Sequence, residues 1–309
     1  MKRSLPALLL VLCALAACSD DPPGKMEPIP RPEGYVEPPK PEAPKKPAEP
    51  APDPNKVTLR WKLAPKSPVA FRLSGTPEGG AAKLSNTYAL ERPESGDLIL
   101  RIATEGVAPT DQGTFSERGF ILDGLSPVDN TLTTLWLELP RDPVGVGDKW
   151  SLAADPVDPQ PLGPDFVAKK SDRRTSAKLT ALAPEGDERV ATIEYDVFER
   201  IDGVVEVRAP PGGAHAHGGK KGGKKGGDSH QEPKPPPAIS AEVSFTGRGE
   251  FLVKAGRWRS WQGTLTAKTE GYTPKSPDKA LTRVPAGSFK LQLTALDSVP
   301  PALQPAAKK

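Results

Sequence analysis

The chain has 309 residues and a formal net charge of +3, with 42 Lys or Arg and 39 Asp or Glu side chains. Its two cysteines and three histidines are too few for a disulfide framework and leave little for metal sites or for acid–base and thiol chemistry. This composition disfavours an enzyme, and we predict a non-catalytic protein that holds no cofactor.

The N-terminus predicts an export signal. Lys2 and Arg3 precede an apolar stretch at 5–16. A membrane-spanning helix needs ~20 apolar residues, so this shorter stretch indicates a cleaved signal peptide rather than a membrane span. The stretch closes with small residues placed directly before a cysteine, in the sequence LAAC at 15–18.

This ending resembles the lipobox of bacterial lipoproteins. The resemblance implies that residues 1–17 are removed, that a diacylglyceryl group is attached to the Cys18 thiol, and that the new amino group is acylated. Two or more acyl chains hold a protein stably on a bilayer, so we expect anchoring through Cys18. Ser19, the next residue, favours sorting to the outer membrane, where the protein would face the periplasm. The alternative is an ordinary secretory signal with an incidental cysteine.

Residues 18–55 predict a disordered linker that begins at the lipidated cysteine. Proline is frequent there, as in the sequence PPKP at 38–41. Because proline fixes φ and lacks an N–H donor, the segment favours extended polyproline II geometry at ~3.1 Å per residue. We expect a semi-rigid spacer with a reach on the order of 100 Å.

Residues 56–298 carry the periodicity of β-strands. Apolar and polar residues alternate, which is typical of antiparallel strands with one face in solvent. The alternating stretches lie at 57–63, 69–73, 98–102, 135–139, 191–197, 243–253 and 289–295. Residues 178–183 are also assigned to a strand, and no amphipathic helix of useful length is predicted. We predict one all-β domain, built as a single, strongly curved antiparallel sheet or partial barrel, with a β-sandwich as the alternative.

Residues 139–150 form a turn-rich segment that ends at Trp150 and has the sequence LPRDPVGVGDKW. The order of a proline, then valine-glycine-aspartate, then tryptophan is similar to a signature in uncharacterised bacterial lipoproteins with β-rich bodies. The resemblance supports a β-rich fold and implies no particular chemistry.

Residues 209–237 form a second low-complexity segment, rich in glycine and lysine, between strand-like stretches at 188–208 and 238–253. We predict a disordered insert that leaves the sheet from a hairpin, since a long loop costs the fold little. Its five lysines against two acidic residues would attract anionic polymers, whereas it lacks the aromatic residues of a nucleic-acid platform. Residues 299–309 predict a disordered tail.

The three histidines, His215, His217 and His230, all lie in this insert. They are candidate metal ligands, because imidazole suits Zn²⁺, Cu²⁺ and Ni²⁺. A glycine-rich loop supplies neither fixed geometry nor supporting groups, so we predict no specific metal site. Outside the insert the predicted β domain has no His and no Cys, which removes the commonest general base and the thiol nucleophile.

Trp258 and Trp261 are the candidate ligand-binding residues. Their odd spacing places them on opposite faces of a regular strand. Either a bulge re-aims one of them, or one is exposed beside Arg257 and Arg259, where it could stack on a sugar or a lipid headgroup. The competing interpretation is a core tryptophan near a hairpin turn, with its partner covering a sheet edge.

These features predict a membrane-anchored cell-envelope lipoprotein that acts as a non-catalytic binding or carrier module. A curved sheet with an apolar concave face resembles the half-barrels of periplasmic lipoprotein carriers, which implies an apolar or lipid ligand. The alternative is a structural or interaction lipoprotein whose linker and cationic insert contact other envelope components. The expected partners are the membrane, through Cys18, and an envelope protein, lipid or anionic polymer, with no specific nucleic acid.

Overall fold

Within the described residues, eleven strands form one open antiparallel sheet, which confirms the predicted all-β fold and makes the β-sandwich alternative wrong. The computed structural model describes residues 53–78, 83–106, 111–206 and 237–304. The strands are β1 (Val69–Pro77), β2 (Leu84–Glu91), β3 (Leu98–Thr104), β4 (Asp111–Phe115), β5 (Ile121–Asp123), β6 (Lys149–Ser151), β7 (Phe166–Glu185), β8 (Glu188–Val205), β9 (Ala238–Leu252), β10 (Arg257–Glu270) and β11 (Gly287–Leu296).

The spatial order of the sheet is β5-β4-β3-β2-β1-β11-β10-β9-β8-β7-β6. Strands β1 to β5 therefore make one half of the sheet through consecutive pairings, and β6 to β11 make the other half. Pairing of β1 with β11 joins the two halves. Among the described residues the two terminal strands, β5 and β6, do not pair with each other, so the sheet is open.

The alternation in the sequence matches the burial of the side chains. In β8, Ile193, Tyr195 and Val197 are buried, whereas Glu194 and Asp196 between them are exposed. We call the face that carries these three buried residues the inner face and the opposite one the outer face. The predicted stretches at 69–73, 98–102, 178–183, 191–197, 243–253 and 289–295 are confirmed as parts of β1, β3, β7, β8, β9 and β11.

The stretch at 135–139 is not a strand, and this prediction is wrong. It belongs mostly to the helix α1, which spans Pro127–Leu137. The start of α1 is encoded locally, because the Ser126 hydroxyl accepts a hydrogen bond from the Asp129 N–H and a proline opens the first turn. Leu135, Leu137 and Leu139 alternate with other residues as they would in a strand. Trp136 is buried as well, so the last turn of α1 contacts protein on both of its sides.

The stretch at 57–63 alternates in burial as predicted, but it is not a strand of the sheet. Its buried residues are Val57, Leu59, Trp61 and Leu63. A strand needs a continuous ladder of backbone hydrogen bonds, whereas this stretch makes an isolated bridge from Val57 to Val144. The stretch is therefore an extended segment that packs against the sheet without being one of its strands.

Aromatic side chains from α1 and from the chain before β1 fill the inner face. The ring centroid of Trp136 lies 5.0 Å from that of Tyr88 and 5.8 Å from that of Phe71. The Trp61 ring lies 5.8 Å from Trp136 and 5.8 Å from Phe251, both edge-on. None of these residues is more than 3% exposed. The inner face is thus occupied by the protein's own side chains.

The strands that flank the predicted insert pair with each other, as expected of a hairpin. In the antiparallel pair of β8 and β9, Val204 lies opposite Ala238. Residues 207–236 connect these two strands and contain all three histidines. They lie outside the described residues, as do residues 1–52 with Cys18.

Residues 299–304, the first part of the predicted tail at 299–309, belong to the described part of the chain. Residues Pro301–Leu303 form a 3-10 helix that contacts β3, and the Leu303 side chain is buried. This short helix follows β11 through residues 297–299, which line the groove described next.

Candidate functional site

The sheet divides where β10 and β11 separate. Strand β11 pairs with β1 as far as Leu296. Its pairing with β10 ends earlier, where Leu293 lies opposite Trp261, although β10 itself continues along β9. Residues 257–260 of β10 and 294–296 of β11 therefore have no pairing with each other. We call the opening between them the β10–β11 groove.

A β-bulge beside this groove explains the odd spacing of the two tryptophans. The register of β10 against β9 shifts between Trp258 and Ser260. Because Arg259 is the extra residue, Trp258 and Trp261 both lie on the inner face, where they are 4% and 1% exposed. The bulge interpretation is therefore the one observed, and neither ring is exposed for stacking on the surface.

The two arginines beside Trp258 differ in how their charges are balanced. Arg259 donates a hydrogen bond to Glu185 at 2.7 Å and lies 3.8 Å from Glu250. The hydrogen bond with Glu185 raises the pKa of Arg259 above its ordinary value. Arg257 is exposed, and its side chain makes no hydrogen bond or ion pair with any described residue. The Arg257 guanidinium is therefore available to an anionic group.

The β10–β11 groove has a volume of about 540 Å³ and is lined by both apolar and charged residues. Its apolar lining includes Val69, Phe71, Leu252, Trp258 and Val299. Arg257 and Arg259 line it from β10, and Asp297 lines it from the chain that follows β11. Small-ligand sites have volumes of this order. The groove can hold an apolar group while a charged group reaches Arg257.

Trp258 also fixes the end of α1. The last carbonyl groups of a helix have no partners within the helix. The Trp258 indole N–H donates to the Trp136 carbonyl at 2.8 Å, and the Trp61 indole N–H donates to the Leu137 carbonyl at 2.8 Å. One side chain thus links the groove to the helix that covers the inner face.

We expect Trp258→Phe to lower the free energy of unfolding by about 1–2 kcal/mol, because the buried Trp136 carbonyl loses its donor. Urea unfolding followed by far-UV circular dichroism measures the change. Trp150→Phe is the control, since the Trp150 indole N–H donates to no described residue. An equal loss in both variants would contradict the role assigned to this hydrogen bond.

Glu138 follows α1 and is buried, with 3% of its surface exposed. Burial raises the pKa of its carboxyl group, although two contacts oppose this effect. One carboxylate oxygen accepts the Ala153 N–H at 2.7 Å, and the other lies 3.3 Å from a guanidinium nitrogen of Arg118. The carboxylate therefore ties the end of α1 to the chain that follows β6.

The raised pKa of Glu138 predicts how Glu138→Gln changes stability with pH. Below about pH 4 the carboxyl group is neutral in both the folded and the unfolded chain. As the pH rises through the folded pKa, the wild-type protein must keep an ionised carboxylate buried, and it loses stability relative to the variant. Urea unfolding at several values between about pH 3 and about pH 7 measures this difference.

Glu188→Gln is the matched control, with the opposite sign. Although desolvation opposes them, the backbone N–H groups of Lys254, Arg189 and Ala255 hold the pKa of Glu188 below its ordinary value. The wild-type protein should gain stability relative to this variant as the pH rises, and the change should lie below about pH 4.5. Parallel pH dependences for the two variants would contradict both assignments.

A cluster of charged side chains lies outside the groove, and its members form ion pairs with one another. Arg283 lies 2.5 Å from Asp155 and 3.1 Å from Asp158. Arg173 lies 3.2 Å from Asp155 and 3.6 Å from Glu199. Because each carboxylate has a guanidinium partner, the cluster fastens the loop between β6 and β7 and presents no unpaired acid or base.

The described ranges contain no group of three or more His, Cys, Asp or Glu side chains that could hold a metal ion. In the same part of the chain, no helix has the length and apolar character needed to cross a membrane.

The sequence identified Trp258 and its neighbouring arginines but not the opposite wall of the groove. Phe71 and Asp297 reach the groove because β1 pairs with β11, and no local pattern signals that pairing. Trp261, the other candidate, does not line the groove. Its ring instead stacks on Phe245, with a centroid distance of 5.3 Å and an interplanar angle of 15°.

Comparison of the chain with models of protein families, with curated proteins and with solved structures found no match.

Proposed function

We propose that this protein is a membrane-anchored, non-catalytic binding module of the bacterial cell envelope and that the β10–β11 groove is its ligand site. The lipid on Cys18 would provide the anchor, as the resemblance of residues 15–18 to a lipobox implies. One observation carries the binding role. The groove of about 540 Å³ combines an apolar lining with Arg257, whose side chain has no ionic partner among the described residues.

The packing of the inner face favours the groove over a carrier site on that face. A lipid chain on the inner face would have to displace Trp136 together with α1. It would also break the two indole hydrogen bonds, from Trp258 and Trp61, that hold the end of the helix. The β10–β11 groove is open without any such displacement, so we assign the ligand to the groove.

Site-specific photo-crosslinking in cells that express the whole chain tests this assignment. We expect p-benzoylphenylalanine at position 298 to form adducts, and the same residue at position 248 to form none. Ser298 lines the groove and is exposed, and replacing it leaves the Arg257 guanidinium in place. Arg248 is the control position because it is exposed on β9 and lies outside the groove. Absence of any adduct at position 298 would refute the binding role.

The anchor is tested separately with Cys18→Ser. We expect this variant to leave the membrane fraction and to stop incorporating labelled palmitate, because the acceptor thiol is gone. Separation of inner and outer membranes on a density gradient tests the expected outer-membrane location of the wild-type chain. A variant that stays in the membrane fraction would contradict the lipid anchor and leave the assignment of the groove intact.

A further inference from the structure

We infer that the ligand of the β10–β11 groove is an extended peptide segment of a partner protein, which adds to the sheet as a short strand between β10 and β11. The inference rests on the proposed function, because it names the ligand class of the same groove. Such a segment would meet two strand edges and the Arg257 side chain at once.

Unpaired backbone on both sides of the groove carries this inference. A strand directs N–H and C=O groups towards both of its neighbours. Residues 257–260 of β10 pair with β9 on one side, and residues 294–296 of β11 pair with β1 on one side, but neither segment pairs across the groove. Two free strand edges therefore border the same opening.

The chemistry of these edges favours a peptide over an acyl chain. A hydrocarbon in the groove would remove water from free N–H and C=O groups without replacing the lost hydrogen bonds, which costs free energy. An extended peptide supplies the matching donors and acceptors, as in other cases of strand addition to a sheet edge. The unpaired part of β11, residues 294–296, would accommodate about 10 Å of strand at ~3.3 Å per residue.

The side chains at the groove indicate the composition of the peptide. Arg257 has no partner among the described residues, whereas the charge of Arg259 is balanced by Glu185. Asp297 also lines the groove without an ion-pair partner among the described residues, so an acidic side chain of the peptide would pair with Arg257 on the β10 side, away from Asp297. Because side chains alternate along a strand, the neighbouring residues of the peptide would point inwards, where apolar side chains can contact the apolar lining of the groove, including Val69 and Val299.

Binding of defined heptapeptides to the whole chain, purified in detergent, tests the inference. The probe is an acetylated and amidated heptapeptide, VTVEVTV, and fluorescence anisotropy of a labelled copy measures its affinity. Hydrogen–deuterium exchange locates it, and we expect slower exchange at 257–260 and at 294–296. The same peptide N-methylated at every residue can donate to neither edge, so it should not bind.

Reversal of one charge tests the pairing with Arg257. We expect Arg257→Glu to weaken binding of the glutamate peptide by about tenfold, and the peptide VTVKVTV to recover the loss. The matched control is Arg248→Glu, which should change the affinity by less than about twofold because position 248 is outside the groove. Equal effects of the two substitutions would overturn the assigned pairing.

The remaining outcomes separate this inference from the proposed function. If the N-methylated peptide binds as tightly as its parent, strand addition is wrong. If oleate slows exchange around the groove and no peptide does, while adducts still form at position 298, the peptide class is wrong and the binding module stands. If no probe binds and position 298 gives no adduct, both proposals fail.

Discussion

Replacing Trp136 with alanine should lower the free energy of unfolding by about 3–5 kcal/mol, which is the loss expected for a large aromatic residue removed from a core. Trp136 is fully buried, and its ring contacts Trp61, Phe71 and Tyr88. Deleting the ring would open a cavity between α1 and the inner face. Urea unfolding followed by far-UV circular dichroism measures the loss without relying on tryptophan fluorescence.

The control is Val128→Ala on the same helix. Val128 is 43% exposed, so its replacement should change the free energy of unfolding by less than about 0.5 kcal/mol. A loss below about 1 kcal/mol for Trp136→Ala would show that α1 does not depend on this cluster. The inner face would then tolerate displacement of α1, and our preference for the groove over an inner-face ligand would lose its basis.

Gly119→Ala should cost about 3 kcal/mol or more, because it combines two unfavourable effects. Gly119 has a φ of +76°, in the left-handed region that L side chains rarely adopt. A Cβ atom there would lie 1.8 Å from the Leu137 carbonyl oxygen, so the turn before β5 could no longer pack against the end of α1. Urea unfolding measures the loss.

Gly106→Ala separates the two effects. Gly106 has nearly the same φ, +78°, but a Cβ atom there would meet nothing within 4 Å. It should therefore cost only the left-handed backbone strain, about 1–2 kcal/mol. If the two substitutions were equally harmful, the close approach between Gly119 and Leu137 would contribute nothing to stability.

Most strands could be predicted because their signal is local. In β8, the alternation of Tyr195 and Val197 with Asp196 depends only on which face meets solvent, so a few neighbouring residues reveal it. The stretch at 57–63 shows the limit of this signal. Its alternation correctly predicts which side chains are buried, but the same pattern arises when an extended chain lies across a sheet.

The helix α1 was missed although part of its signal is readable. Ser126, followed by a proline and then by Asp129, is a pattern typical of a helix N-terminus. The leucines at the C-terminal end of α1 alternate as they would in a strand. Trp136 between them is also buried, but this burial results from packing of the helix against the inner face and cannot be recognised in the local pattern.

The local sequence pattern is sufficient to predict the β-rich body. It also indicates the lipid anchor at Cys18, and that anchor stays a prediction. The groove required the tertiary structure, since it depends on where β10 parts from β11, on the bulge at Arg259, and on the pairing that brings Phe71 beside Trp258. Strand pairing uses backbone groups that nearly every residue possesses. Which strands meet, and where their pairing ends, is therefore decided by the packing of the whole chain.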